Sequence, residues 1–282
     1  MTRTTGAPPF DVPDLVPGMA AHARWTVRLH PRLGIPRVRD SHVGGPLLWP
    51  VAQEWPCCES PYCDTAFGTP LTPLAQLRAA DFPEITFPEG TDLVQFLWCT
   101  GDHGADTVQV RWRAAAEVKR VRPFPLAAEF EDAQEEYFPL PCVLHPERVL
   151  EYPWHQELPE ELRRALRAWQ PGPELYPPHY AEVATAPGFK VGGSMNWSGT
   201  DMPSDFACAV CSAPPFLLLQ LDSREFTADS RWQPLEERHL SPGTYKYISA
   251  AQPTGLQVGR SSHAGVFVCS AQPEHLVEYI RQ

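Results

Sequence analysis

Short apolar runs broken by turn residues dominate the patterning of this chain. The segments "LAQL" (74–77), "DLVQFLW" (92–98), "TVQVRWR" (107–113), "FLLLQLD" (216–222) and "GVFVC" (265–269) carry apolar, β-branched or aromatic residues and are bounded by Pro, Gly or Asp, which is how strands read. Several alternate apolar with polar positions, predicting sheets with one solvated face. One helical period stands out: in "ELPEELRRALRAWQ", Leu162, Ala165, Leu166 and Trp169 recur at i, i+3, i+4 and i+7. Glu160 and Glu161 near its start and Arg163, Arg164 and Arg167 behind them complement the helix dipole. Pro171-Gly172-Pro173 then ends it. The stretch "AAEFEDAQEEYF" (127–138) reads equally as a short acidic helix or a solvated loop.

The pattern also repeats. "HVGGPLLW" set over "KVGGSMNW" brings Val43-Gly44-Gly45 and Trp49 onto Val191-Gly192-Gly193 and Trp197. Both copies continue with a cysteine cluster, then a Pro-led apolar run, "PLTPLAQL" or "PPFLLLQL", that places Gln76 opposite Gln220. Each later has a strand-like run ending at Cys99 or Cys269. Ordered landmarks of this kind indicate a duplicated unit. The expected fold is mostly β with a few helices (α+β), built from two tandem copies of a β-rich unit packed as one pseudo-duplicated globular fold. The divisions are an N-terminal extension (1–40), a first unit (41–150), a helical linker (151–187) and a second unit (188–282).

Composition narrows the class. With 33 prolines among 282 residues, more than twice the usual share of about 5%, short strands and stiff turns are favoured over long helices. No apolar run is long enough to span a membrane, and the N-terminus lacks the apolar core of a secretory signal, so a cytoplasmic protein is expected. The net charge of −11 disfavours direct nucleic-acid binding, which rests on Lys and Arg neutralising phosphates. It suits a solvated acidic surface or a basic protein partner.

Eight cysteines in a reducing compartment read as core packers, metal ligands or reactive thiols, not structural disulfides. Cys208-Ala-Val-Cys211 has the spacing of a zinc knuckle, with Cys269 as a third ligand and His263 or His275 as the fourth. In the first unit Cys58 and Cys63 are the corresponding pair, Cys57 competes with them, Cys99 is third and His103 fourth. The alternatives are a redox dithiol at Cys208 and Cys211, and strand-end core residues at Cys99 and Cys269. Cys142 has no thiol neighbour in sequence and reads as a packing residue. Gly44-Gly45 and Gly192-Gly193 suit positive-φ turns or a close backbone approach. Trp49 and Trp197 read as core anchors, and Gln76 and Gln220 as buried amides tying a strand to a loop.

No Gly-x-Ser-x-Gly elbow, His-Glu-x-x-His, phosphate loop or kinase signature is present. Asp102 and His103 form an imaginable acid/base couple, but lone polar pairs of this kind are usually solvated. The repeated "VGG...W", "PLTPLAQLRAADFP" and "LVQFLW" resemble the bacterial YwqG-like family. "KVGGSMNW...ACAVCSAPPFLLLQL...GVFVC" is similar to the related eukaryotic family of programmed cell death protein two and its ribosome-biogenesis relative. The resemblance covers roughly 41–96 and 189–269. It implies a duplicated β-rich fold and a non-enzymatic, chaperone-like or protein-interaction role, the client being a ribosomal protein or a toxin. Ser194 departs from that pattern, standing where the family has Pro, and the zinc-finger insert of the animal members is missing. The competing expectation is a metal- or thiol-dependent enzyme using the Cys/His clusters.

Overall fold

The computed structural model describes residues 2–60, 63, 69–100, 108–125, 135–169, 179–259 and 262–282. The strands are β1 (Arg24–Arg28), β2 (Arg32–Leu33), β3 (His42–Val43), β4 (Thr72–Arg78), β5 (Leu93–Trp98), β6 (Gln109–Arg113), β7 (Cys142–Val143), β8 (Glu147–Glu151), β9 (Lys190–Gly192), β10 (Pro215–Asp222), β11 (His263–Cys269) and β12 (Leu276–Arg281). Short helices α1 (Val12–Leu15), α2 (Glu160–Ala168), α3 (Tyr180–Ala184) and α4 (Tyr245–Ala251) lie among them. The fold is therefore mostly β with a few helices. Among the described residues, no helix is long and apolar enough to cross a membrane.

Two six-stranded antiparallel sheets run in the orders β2-β7-β3-β4-β5-β6 and β8-β1-β9-β10-β11-β12. Advancing each strand of the first sheet by six in chain order gives the second sheet, with β1 standing where β7 maps. The correspondence extends to residues. Gln76 pairs with His42 and Gln220 with Lys190, and both β4–β5 and β10–β11 carry a register shift at the same place, between Pro73 and Ala75 and between Leu217 and Leu219. The segment 1–40, expected as an extension, contributes β1 to the interior of the second sheet, between β8 and β9. Of the strands in the expected first unit, β7 pairs with β3 inside the first sheet, whereas β8 pairs with β1 in the second. The sheets therefore cut across the boundaries expected from the sequence, because strand pairing joins segments far apart in the chain.

One core joins the sheets, with Val43, Leu74, Phe96 and Cys142 of the first packed in the same cluster as Val27, Val191, Leu219 and Val266 of the second. The expectation of one solvated face fails for the central strands, since β5 and β11 are buried along their whole lengths. The loops after the glycine pairs cover the outer faces. Trp49 packs with Leu47, Leu71 and Leu97, and Trp197 with Trp154, Met195 and Phe267. The loops can turn back because Gly44, Gly45, Gly192 and Gly193 all have φ between 64° and 75°, a region open to glycine and strained for other residues. A Cβ on Gly44 would also lie 2.7 Å from the carbonyl oxygens of Pro139 and Leu140.

The buried amides tie these loops down. Gln76 Nε2 donates to the carbonyls of Val38 and Asp40, both at 3.0 Å, and its Oε1 accepts from the Leu48 N–H at 2.8 Å. Gln220 Nε2 donates to the Gly188 carbonyl at 2.9 Å. Helix α2 matches the expected span, with Leu162, Ala165, Leu166 and Trp169 on a satellite cluster around Met19 and Tyr180. The described part of "AAEFEDAQEEYF" holds only a 3-10 turn, Glu135–Tyr137; residues 127–134 and Pro171-Gly172-Pro173 lie outside the described residues.

A fully buried ion pair was not foreseen. Lys190 Nζ lies 2.9 and 3.0 Å from the two carboxylate oxygens of Glu151 and donates to the Ser194 carbonyl at 2.6 Å. Glu151 also accepts from the Ala186 and Ser194 N–H groups at 2.7 and 2.6 Å. Removing one partner strands the other charge in the core, so Lys190→Met should lower unfolding stability by about 3–5 kcal/mol. The double variant Lys190→Met/Glu151→Gln should recover part of that loss in chemical denaturation. A pH effect is also expected. Burial lowers the His42 imidazole from 6.5 to about 4, so between those values the unfolded chain takes up a proton that the folded chain refuses. Stability is then present above pH 6.5 and lost as pH falls towards 4; denaturation midpoints should show a flatter dependence in His42→Gln.

Candidate metal centre

The Cys208–Cys211 segment is a tight turn positioned by β10. Cys208 N–H donates to the Ala213 carbonyl at 2.9 Å and Ser212 N–H to the Cys208 carbonyl at 2.8 Å, Ser212 itself having φ of 58°. Cys269 closes β11, and the chain reverses immediately after it. Gln272 N–H points at Cys269 Sγ (3.3 Å), His275 N–H donates to the Gln272 carbonyl, and Cys269 N–H to the His275 carbonyl. The reversal carries His275 back beside the knuckle. Cys208 Sγ lies 3.6 Å from His275 Nδ1, and Cys211 Sγ 3.3 Å from Cys269 Sγ. All four ligand atoms fall within 4.8 Å of one another, so the group can hold a metal ion.

His263, the first choice for fourth ligand, is not in this group. It begins β11, the strand that Cys269 ends, and at about 3.3 Å per residue the two lie roughly 20 Å apart. Its Nε2 instead donates to the Asn196 carbonyl at 2.7 Å. His275, the alternative, occupies the fourth place.

The first sheet builds the same arrangement at the same location. Cys58 N–H donates to the Thr69 carbonyl at 2.7 Å, as Cys208 does to Ala213, and Thr69 and Ala213 each stand just before the corresponding paired strand. Cys99 follows β5 as Cys269 ends β11. Cys58, Cys63 and Cys99 place their sulfurs within 4.8 Å of one another, Cys63 and Cys99 at 3.3 Å, and can likewise hold an ion. Cys57 is outside this trio and bridges Pro70. His103, its expected fourth ligand, and Asp102 lie outside the described residues. Cys142 sits in the core on β7, where burial pushes its thiol up to about 12.

The electrostatics of the Cys208 group favour a cation. Burial raises the Cys208 thiol, but the N–H groups of Cys211 and Val210, the Cys211 thiol and His275 outweigh it and bring it down to about 6. At Cys211 the Ala213 N–H favours the thiolate, yet the neighbouring Cys269 and Cys208 sulfurs, with burial, push it up overall. Burial likewise raises Cys58. Cys208 thus forms a thiolate readily and Cys211 resists until a cation shares its charge. Comparison with protein-family models and with curated proteins found no match.

Cobalt(II) titration of the full chain should give a thiolate-to-metal charge-transfer band. Cys269→Ser and Cys99→Ser should each remove about half of it. Cys142→Ser and His263→Leu should leave it intact.

Proposed function

We propose that this chain is a non-enzymatic protein-binding module, chaperone-like in its action, stapled by structural zinc. The observation that carries the reading is the donor set Cys208, Cys211, Cys269 and His275. Three thiolates and one imidazole fill the four positions of a tetrahedral zinc site and leave none for a reacting water. Thiolate and imidazole donors also select zinc over hard cations such as calcium or magnesium. The equivalent place of Cys58, Cys63 and Cys99 supports a second staple and an origin of the chain by internal duplication. The net charge of −11 favours a basic partner, and the ordered Gly-Gly, Trp, Gln and Cys landmarks support kinship with the YwqG-like proteins. A ribosomal protein and a toxin are both basic clients of the kind this reading admits.

One observation favours a second reading, a thiol-dependent enzyme: Cys211 is exposed and 3.3 Å from Cys269. Elemental analysis of protein purified without added metal separates the two. One to two zinc per chain are expected, with Cys208→Ser losing one and melting at a lower temperature. Metal-free protein whose Cys211 and Cys269 oxidise reversibly to a disulfide overturns the staple. On the partner side, affinity capture followed by identification of stoichiometric partners should return basic proteins, released as salt rises. Salt-insensitive acidic partners would sink the electrostatic part of the proposal.

A further inference from the structure

The shared register of the two sheets allows each position in one to be compared with its counterpart in the other. Arg78 pairs with Leu93 at one end of β4–β5, and Asp222 with His263 at the same end of β10–β11. Counted from the glycine pairs, Leu48 corresponds to Asn196; counted from the strand starts, Asp92 corresponds to Ser262. In the first sheet this corner is closed. Leu48 and Leu93 are buried with Ala115 and Val118, and Asp92 accepts from the Ala115 N–H at 2.6 Å, holding a 3-10 turn, Ala115–Glu117, over them.

In the second sheet the same corner is polar and open. Asp222, His263, Ser262 and Asn196 line a cavity of about 840 Å3, within the range of small-molecule sites. The polar groups are held in place. Asp222 accepts from the Gly188 and Arg224 N–H groups at 3.0 and 2.9 Å. His263 donates from Nε2 to the Asn196 carbonyl, which leaves Nδ1 facing Ser262 Oγ at 3.4 Å.

The remainder of the cavity carries three arginines, with Glu182 and Asp229 also in its wall. Arg231 lies over the Trp232 ring at 4.1 Å and donates to the Val183 carbonyl at 3.0 Å, while its buried Nε has no partner. Arg224 and Arg238 reach the same cavity, and neither forms an ion pair among the described residues. Arg231 likewise forms no ion pair among the described residues. Guanidinium groups are shaped to take a carboxylate through paired hydrogen bonds. Burial raises the Asp222 carboxyl above its ordinary value, so a cationic group arriving beside it relieves the cost of ionising it.

We propose that this cavity binds a small zwitterion of the amino-acid or short-peptide type, with its ammonium at Asp222 and its carboxylate at the arginines. Asn196 and His263 stand where the first sheet has Leu48 and Leu93, and the space beside them carries charge of both signs. The site is independent of the metal centres and of the client reading.

The test uses the full chain and a panel of unblocked tripeptides varied in side chain, screened by thermal shift and titrated by calorimetry. At least one should bind saturably. N-acetylating or C-amidating that peptide should each weaken it about tenfold or more, the scale of a lost charge-assisted contact. In Asp222→Asn, N-acetylation should cost nothing further, and in Arg238→Gln amidation should cost little. His263→Leu, which installs the residue found in the first sheet, should abolish binding while the unfolding temperature is retained. Absence of saturable binding by every peptide to the folded protein overturns the proposal, as does equal binding of blocked and unblocked forms.

Discussion

The buried contact between Glu151 and Lys190 reaches over a strand that comes from the other end of the chain. Glu151 ends β8 and pairs with Arg24, while Lys190 begins β9 and pairs with Arg28, so the two charged residues flank β1 on either side. Gly193 completes the seam: any side chain there would collide with the Glu151 carboxylate and with Thr26. Much else in the second sheet depends on this crossing. Without β1, β9 would have an unpaired edge and β8 would have no ladder partner, and unpaired edges invite association with other chains. The first sheet has the reciprocal dependence on β7. Since Val27 and Cys142, one from each exchanged strand, lie in the shared core, neither half of the chain closes its own sheet.

The parts of this architecture that rest on local pattern were legible in the sequence. The runs around Leu74–Leu77, Leu93–Trp98, Phe216–Leu221 and Gly265–Cys269 are strands because their apolar content and turn boundaries suffice to make them so. The Gly-Gly and Gln landmarks found their roles because a positive-φ turn and a buried amide each admit few solutions. The exchange of β1 and β7 was not legible. β1, "RWTVR", has a charged residue at each end and β7, Cys142–Val143, is only two residues long, and their pairing is decided by partners distant in sequence. The ion pair could have been suspected from Lys190, one of three lysines in the chain and set in the apolar context "FKVGG". His263 and His275 stand at equal distances from Cys269 along the chain, so spacing could not choose between them. The reversal after β11 did.

The two sheets share one plan and each carries a thiol knuckle, but they differ at their corners. A knuckle constrains its sequence strictly, because three or four ligand atoms must meet at one point. A corner of apolar packing tolerates exchange as long as the new polar groups find partners. In the second sheet His263 pairs with the Asn196 carbonyl and faces Ser262 Oγ, while the Asn196 side chain accepts from the Ser198 N–H, so the polar corner satisfies its groups without a change of register. The amide network follows the same rule: Gln95 Nε2 reaches the Leu48 carbonyl in the first sheet, and His263 reaches the equivalent Asn196 carbonyl in the second.

The strand exchange also sets an order of events during synthesis. β1 ends at Arg28, yet its neighbours β8 and β9 begin only at Glu147 and Lys190, so β1 is made long before either. The first sheet can assemble once β7 emerges; β1 must wait as an unsatisfied strand with Val27, buried in the finished fold, uncovered. A long wait for a distant partner makes folding slow and exposes a sticky segment. The nascent chain of this protein is thus itself a candidate client for the cell's holding machinery.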